Sequence, residues 1–325
     1  MNQLREWHPD FLGEDYQALT LPLGKDPDGA GQIQATLVRY KPEDANTEGR
    51  PALLWVHGMT DYFFQSHVAE YFHNQGYAFY AIDLRKCGRA RQDGEPWHYV
   101  TDLEYYFTDL DAALETITEH HPSMTPIAHS TAGIIVPMWL NQLNSDKVPA
   151  LILDSPWLDL MGFSQRQLRV IRPIINVAGK LLPRVKFPGG GLAAFGESIH
   201  ADFYGEWNYD LAIKPLGGHR KYLGWLRAVL NSQHLIHTDQ IDVGVPTLVL
   251  TSGRSHLGRP YSPATDTADA VIDVQQTQRW APHLGKDVEI HTILGARHDV
   301  FLSLKPARDE AFAVTSAYLA QHVKK

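Results

Sequence analysis

A serine held where a strand runs straight into a helix is placed to act as a nucleophile, and Ser130 has that setting. It lies in Ala128-His129-Ser130-Thr131-Ala132-Gly133, between an apolar run and a helical pattern. A tight strand-to-helix turn lifts the hydroxyl clear of the sheet, and the helix N-terminus behind it offers backbone N–H groups to a developing oxyanion. Small flanking residues are required because strand and helix backbones nearly touch. Here Ala128 and Ala132 stand where Gly-x-Ser-x-Gly has glycines, each adding one methyl. Taken alone, Ser130 fits equally well as an ordinary helix N-cap. His57-Gly58 alone reads as a strand-ending turn, and His298 alone as a surface-loop histidine. Cys87 stands beside Arg85, Lys86 and Arg89, cations that could lower a thiol pKa, and is read as incidental to the chemistry.

The elements that must position these residues alternate along the chain. Ile33 to Tyr40 reads as a strand, and Ala52 to Val56 as a fully buried one ending at His57-Gly58. A helix is expected from Gln65 to Gln75, a strand from Tyr77 to Ile82, and a helix from Asp102 to His120. Met124 to His129 is a short strand leading into a helix from Thr131, and further strands fall at Leu151 to Leu153, Thr247 to Leu250 and Val288 to Ile293. A helix from Pro306 to His322 closes the chain. Such alternation predicts an α/β fold with a mostly parallel sheet covered on both faces.

In order and spacing of elements from about residue 30 to 322, the chain resembles the α/β-hydrolase superfamily, in the branch of monoacylglycerol lipases, lysophospholipases and serine aminopeptidase-like hydrolases. His57-Gly58-Met59-Thr60 resembles that family's oxyanion loop, and the match implies that the backbone N–H groups of Met59 and Thr131 hold the oxyanion. Leu294-Gly295-Ala296-Arg297-His298-Asp299 resembles its Gly-x-x-His loop, which implies His298 as general base. Asp269-Ala270-Val271-Ile272-Asp273 resembles its Asp-x-Ile-Val-Asp signature, which implies Asp269 as the acid, with Asp266 and Asp154 as competitors and Asp273 as a helix N-cap. The resemblance implies acyl transfer through serine with no metal or organic cofactor. The rivals are an aminopeptidase or amidase, with Glu197, Asp202 and Glu206 available to anchor an amino group, an acyltransferase, and a catalytically silent binding module.

About 90 residues separate the strands ending at Asp154 and starting at Pro246, far beyond a usual connection. They carry many aromatics and Gly189-Gly190-Gly191, so residues 156–240 are expected to form an inserted, mainly helical cap on a core of 1–155 and 241–325. From Ser164 to Pro188 this segment holds Arg166, Arg169, Arg172, Lys180, Arg184 and Lys186 with no acid, interleaved with aliphatic residues. Pro173 argues against one continuous helix there. An apolar and cationic helix can rest on an anionic membrane through Arg166, Arg169 and Arg172, or can pack as an ordinary cap with solvated arginines. The substrate expected is a small-molecule ester or lipid-like compound, with no obligate protein partner.

Composition narrows the rest. With 29 Lys+Arg against 37 Asp+Glu, the net charge of −8 disfavours nucleic acid as a partner. One cysteine cannot form an internal disulfide, and 44% hydrophobic residues exclude a disordered chain. The 17 histidines show no His-x-x-x-His pair or Cys/His cluster, and His120-His121 before Pro122 read as a solvated helix end. The first residues, Met1 to Pro9, lack the basic start and apolar run of a signal peptide, so a cytoplasmic protein is expected.

Overall fold

The fold was obtained as a computed structural model that describes residues 6–43, 45–187 and 192–325. The Gly189-Gly190-Gly191 run, Pro188 and the first five residues lie outside the described residues. Nine strands form one sheet: β1 (His8–Asp10), β2 (Gly13–Lys25), β3 (Gln32–Tyr40), β4 (Ala52–Val56), β5 (Ala78–Asp83), β6 (Met124–His129), β7 (Leu151–Asp154), β10 (Thr247–Ser252) and β11 (Val288–Ile293). Their spatial order is β1-β2-β3-β5-β4-β6-β7-β10-β11. From β5 to β11 every pairing is parallel, while β1, β2 and β3 pair antiparallel at one end.

Parallel strands need crossovers, supplied here by α1 (Ser66–Asn74), α2 (Phe107–Thr118), α3 (Ala132–Gln142) and α7 (Val274–Trp280), while α8 (Lys305–His322) follows the last strand. The strand residues feed both sides of the sheet alternately. Leu54, Val56, Ala128 and Leu153 enter one apolar layer, and Leu53, Trp55, Ile127 and Ile152 the other. This double burial explains why the central strands read as unbroken apolar runs. Strand order reverses between β4 and β6, whose residues Val56 and Ala128 stand side by side. In a sheet of this kind the crevice beyond the strands' carboxyl ends at that reversal is where a ligand site forms. The residues that follow β4 and β6 are His57-Gly58-Met59 and Ser130.

Between β7 and β10 lie α4 (Gln165–Leu181), β8 (Lys186–Phe187), α5 (Ala193–Ile199), β9 (Lys221–Tyr222) and α6 (Leu223–His237). Contrary to expectation, α4 is one continuous helix with Pro173 inside it. A capping box between Ser164 and Gln167 fixes its start, and α6 supports its far half. A Cβ on Gly179 would sit 2.7 Å from the carbonyl oxygen of Leu223, so only glycine permits that approach. Pro173 itself is exposed.

Other expectations shift for identifiable reasons. The helix expected from Asp102 begins as a 3-10 turn, Leu103–Tyr106, because the Asp102 side chain accepts from the Glu104 N–H. β1 and β2 have no counterpart in the sequence reading. Pro22 and the bulge at Gly24 break the pattern of β2, and both are tolerated because β1 covers only Gly13 to Ala18 of its outer edge. His121 is buried, not solvated. Its Nδ1 donates to the Arg50 carbonyl at 2.9 Å and its Nε2 accepts from the Tyr80 hydroxyl at 2.9 Å.

Candidate active site

Ser130 occupies the turn between β6 and α3 with φ of +53°, the left-handed region that a non-glycine residue enters only where surroundings enforce it. Three backbone bonds do so. Ser130 N–H donates to the Asp154 carbonyl at 2.9 Å, and the Ser130 carbonyl accepts from Gly133 N–H at 2.9 Å and Trp157 N–H at 3.0 Å. The turn is packed to the limit. A Cβ on Gly133 would come within 2.3 Å of Pro156 Cβ, and one on Gly58 within 2.9 Å of Ser130 Cβ.

His298 follows β11 and lies fully enclosed. Its Nε2 is 2.9 Å from Ser130 Oγ and its Nδ1 is 2.8 Å from Asp269 Oδ2. Asp269 has no exposed surface, and its second oxygen accepts from the N–H groups of Val271 and Ile272, each at 2.8 Å. Those two bonds fix which oxygen faces the imidazole. Burial lowers the His298 pKa, but the charge and hydrogen bond of Asp269, with lesser contributions from Asp154 and Asp299, raise it above the usual histidine value. Asp269, His298 and Ser130 thus form a continuous hydrogen-bonded relay.

The two competing carboxylates are engaged elsewhere. Asp266 pairs with Arg297 at 2.7 Å and accepts from Tyr261 at 2.8 Å. Asp154 meets His129 Nδ1 at 3.0 Å and accepts from Val300 N–H at 3.2 Å. Asp273 caps α7 through the Gln275 N–H.

The loop after β4 is held by His57, whose Nε2 accepts from Leu84 N–H at 3.1 Å while its Nδ1 donates to the Gly58 carbonyl at 2.7 Å. Thr60 takes φ of +58° in this loop. The N–H groups of Met59 and Thr131 donate to no other described residue, and both residues border the cavity in front of Ser130. That cavity is about 360 Å³, within the range of small-molecule sites. Its walls are mainly apolar and include Met59, Trp157, Leu192, Phe195, Trp225 and Val271. Trp157 and Trp225 stack on each other 5.9 Å apart and form part of the wall.

Cys87 is not activated. Arg85 pairs with Asp109, Lys86 with Asp26, and Arg89 with both Asp10 and Asp83, so each neighbouring cation is already neutralised. Burial then pushes the thiol pKa up, in keeping with the reading of Cys87 as incidental.

Several polar residues at the site have no signature in the sequence. Lys214 Nζ is 2.6 Å from Asp61 Oδ1 across the cavity wall, joining residues 153 positions apart. Behind His298, His129, Asp154 and Asp299 bring ligand-type atoms within 4.8 Å of one another. Their lone pairs are occupied within the protein: Asp299 accepts from Gln65 Nε2 at 3.0 Å and from the N–H groups of Phe301 and Leu302 at 3.0 and 3.2 Å. Burial raises both carboxyl pKa values to about 7, and burial lowers that of His129 to about 4. The three carboxylates that could anchor an amino group, Glu197, Asp202 and Glu206, do not line the cavity. Glu206 is paired with Arg308 at 2.7 Å.

The model of the family described as serine aminopeptidase, S33, matches residues 47–304. Among solved structures, a soluble variant of monoglyceride lipase from Saccharomyces cerevisiae, in complex with a substrate analog, aligns with a TM-score of 0.66 at 17% identity, covering 90% of this chain and 93% of that one. The monoacylglycerol lipase of Paleococcus ferrophilus aligns with a TM-score of 0.61 at 18% identity, covering 85% and 97%. An esterase from Exiguobacterium antarcticum aligns with a TM-score of 0.57 at 13% identity, covering 92% and 99%. No curated protein matches this chain by sequence.

Proposed function

Since this chain belongs to the serine aminopeptidase S33 family of α/β-hydrolases, we propose that it hydrolyses carboxylic esters through Ser130, His298 and Asp269. The observation that carries the reading is the relay from Asp269 through His298 to Ser130 Oγ at the edge of an apolar cavity. In this mechanism His298 Nε2 takes the Ser130 proton as Oγ attacks the ester carbonyl. Asp269 holds the proton on Nδ1 and stabilises the imidazolium that forms. The Met59 and Thr131 N–H groups bind the oxyanion. The imidazolium then protonates the departing alcohol, and His298 activates a water that releases the acid from the acyl-enzyme.

Ester chemistry is favoured over aminopeptidase chemistry by the cavity wall. The carboxylate that borders it, Asp61, already holds Lys214, and the acids of the insertion stand elsewhere. The alcohol and acyl parts would be lipid-like, as in a monoacylglycerol or lysophospholipid, with residues 156–240 serving as the cap over the site. We assign to α4 a second role as a docking face for an anionic lipid surface. Val170, Ile174, Val177 and Leu181, spaced four, three and four residues apart, share one exposed stripe. Arg166, Arg169 and Lys180 are exposed on the same helix. Arg172 is on the inward side: burial lowers its pKa and its Nε lies buried without a partner, so it is excluded from this role. No helix among the described residues is long and apolar enough to cross a membrane.

The test is labelling with a fluorophosphonate followed by a p-nitrophenyl ester chain-length series. Labelling at Ser130, lost in Ser130→Ala, with turnover of medium-chain esters is the expected result. A folded protein that is not labelled, or that prefers aminoacyl arylamides, refutes the assignment.

A further inference from the structure

Apart from the Ser130 relay, the cavity is bordered by three formal charges, and they are not equivalent. Lys214 and Asp61 neutralise each other at 2.6 Å. The Lys221 ammonium has no hydrogen bond or ion pair with any described residue. It stands on β9, where alternation sends it towards the cavity and sends Tyr222 to the opposite side, against Tyr99 at 4.9 Å between ring centres. The segment that carries it is tied to the oxyanion loop, since His219 N–H donates to Thr60 Oγ at 3.2 Å. Its companions on the wall, including Leu192, Leu216 and Trp225, are apolar.

A partly buried ammonium without a counter-ion loses hydration and gains nothing in return. Desolvation accordingly lowers the Lys221 pKa. Were the position only structural, an aliphatic residue would fill it without that penalty. The missing partner is an anion, and the space it would enter is the substrate cavity. We propose that Lys221 is an anion receptor in the cavity wall, and that the substrates are esters bearing a carboxylate or phosphate group. This rests on the ester-hydrolase reading above and deepens it by naming the charge of the substrate. A lysine ammonium is a mobile point charge, suited to either oxyanion, whereas the Asp61–Lys214 pair contributes no net charge to bind one.

The experiment compares matched neutral and anionic substrates. One arm sets the p-nitrophenyl monoester of adipic acid against its methyl ester, and the other sets 1-hexanoylglycerol 3-phosphate against 1-hexanoylglycerol. Wild-type protein is expected to favour the anionic member of at least one arm. Lys221→Met should cost that member about tenfold or more in kcat/KM, mostly through KM, and leave the neutral member within about twofold. Preference confined to one arm identifies the anion as carboxylate or as phosphate. Equal treatment of both members in both arms, unchanged by Lys221→Met, overturns the proposal while leaving the hydrolase intact. If neither ester pair is turned over, calorimetric binding of 1-hexanoylglycerol 3-phosphate and 1-hexanoylglycerol to Ser130→Ala gives the same comparison. Binding of the phosphate that Lys221→Met abolishes supports the anion receptor even as the catalytic reading fails, and equal binding of the two overturns it.

Discussion

Replacing Asp269 with Asn tests the relay more sharply than removing the side chain, because it changes no volume and leaves one orientation available. Asp269 Oδ1 accepts two backbone N–H groups, from Val271 and Ile272. In Asp269→Asn the amide oxygen must keep that position, since turning the NH2 towards two donors would leave three buried N–H groups facing each other. The NH2 is then forced into the place of Oδ2, 2.8 Å from His298 Nδ1. There it donates, so Nδ1 must accept and the ring proton moves to Nε2, which faces Ser130 Oγ at 2.9 Å. A protonated Nε2 cannot take the serine proton. The same tautomer trap in a serine protease lowers kcat by about 10⁴, which corresponds to about 5.4 kcal/mol of lost transition-state stabilisation. We expect a loss of that order in kcat, with KM changed little and fluorophosphonate labelling slowed in parallel. The assay is p-nitrophenyl ester hydrolysis at saturating substrate, with a thermal melt to confirm that the variant is folded. Retention of more than about a tenth of wild-type kcat would refute the argument, and the acid would then have to be sought at Asp154 or Asp266, neither of which touches His298.

Other outcomes follow from the same geometry. Because His298 must be neutral to act as base and its pKa is raised, kcat/KM should fall as pH drops through a midpoint above about 6.5, read from a pH–rate profile. Gly58→Ala would place a methyl 2.9 Å from Ser130 Cβ and displace the proposed nucleophile; kcat should drop about 10²-fold with the fold retained by circular dichroism. The raised pKa values of Asp154 and Asp299 mean that the folded state holds these protons more tightly than the unfolded chain. Their contribution to stability is therefore full below pH 3.8 and lost as pH rises towards 7. Asp299→Asn should flatten that decline in Tm, as followed by calorimetry. For α4, the double change Ile174→Ser and Val177→Ser should weaken sedimentation with vesicles of anionic lipid while leaving turnover of a water-soluble ester unchanged; undiminished vesicle binding would remove the docking role.

What could be read from the sequence is what the topology makes local. Parallel strands send all their carboxyl-end loops to one edge of the sheet, so a serine after β6, an aspartate after β10 and a histidine after β11 must lie near one another although 139 and 29 residues separate them in sequence. Loop position brings the three to one edge, and the resemblance of their loops to those of the α/β-hydrolases is what singles out Ser130, Asp269 and His298 there. Pairing across the fold has no such rule. Around Cys87, three cations stand close together in sequence, yet Asp109, Asp26, Asp10 and Asp83 pair with them in the fold and cancel them. Lys221 is the converse case. Nothing in its neighbours distinguishes it from Lys186 or Lys214, and only the fold leaves it without an acid. A charge in a sequence becomes functional information once the structure shows which charges have been spent on one another, and at the wall of this cavity Lys221 is the cation left over.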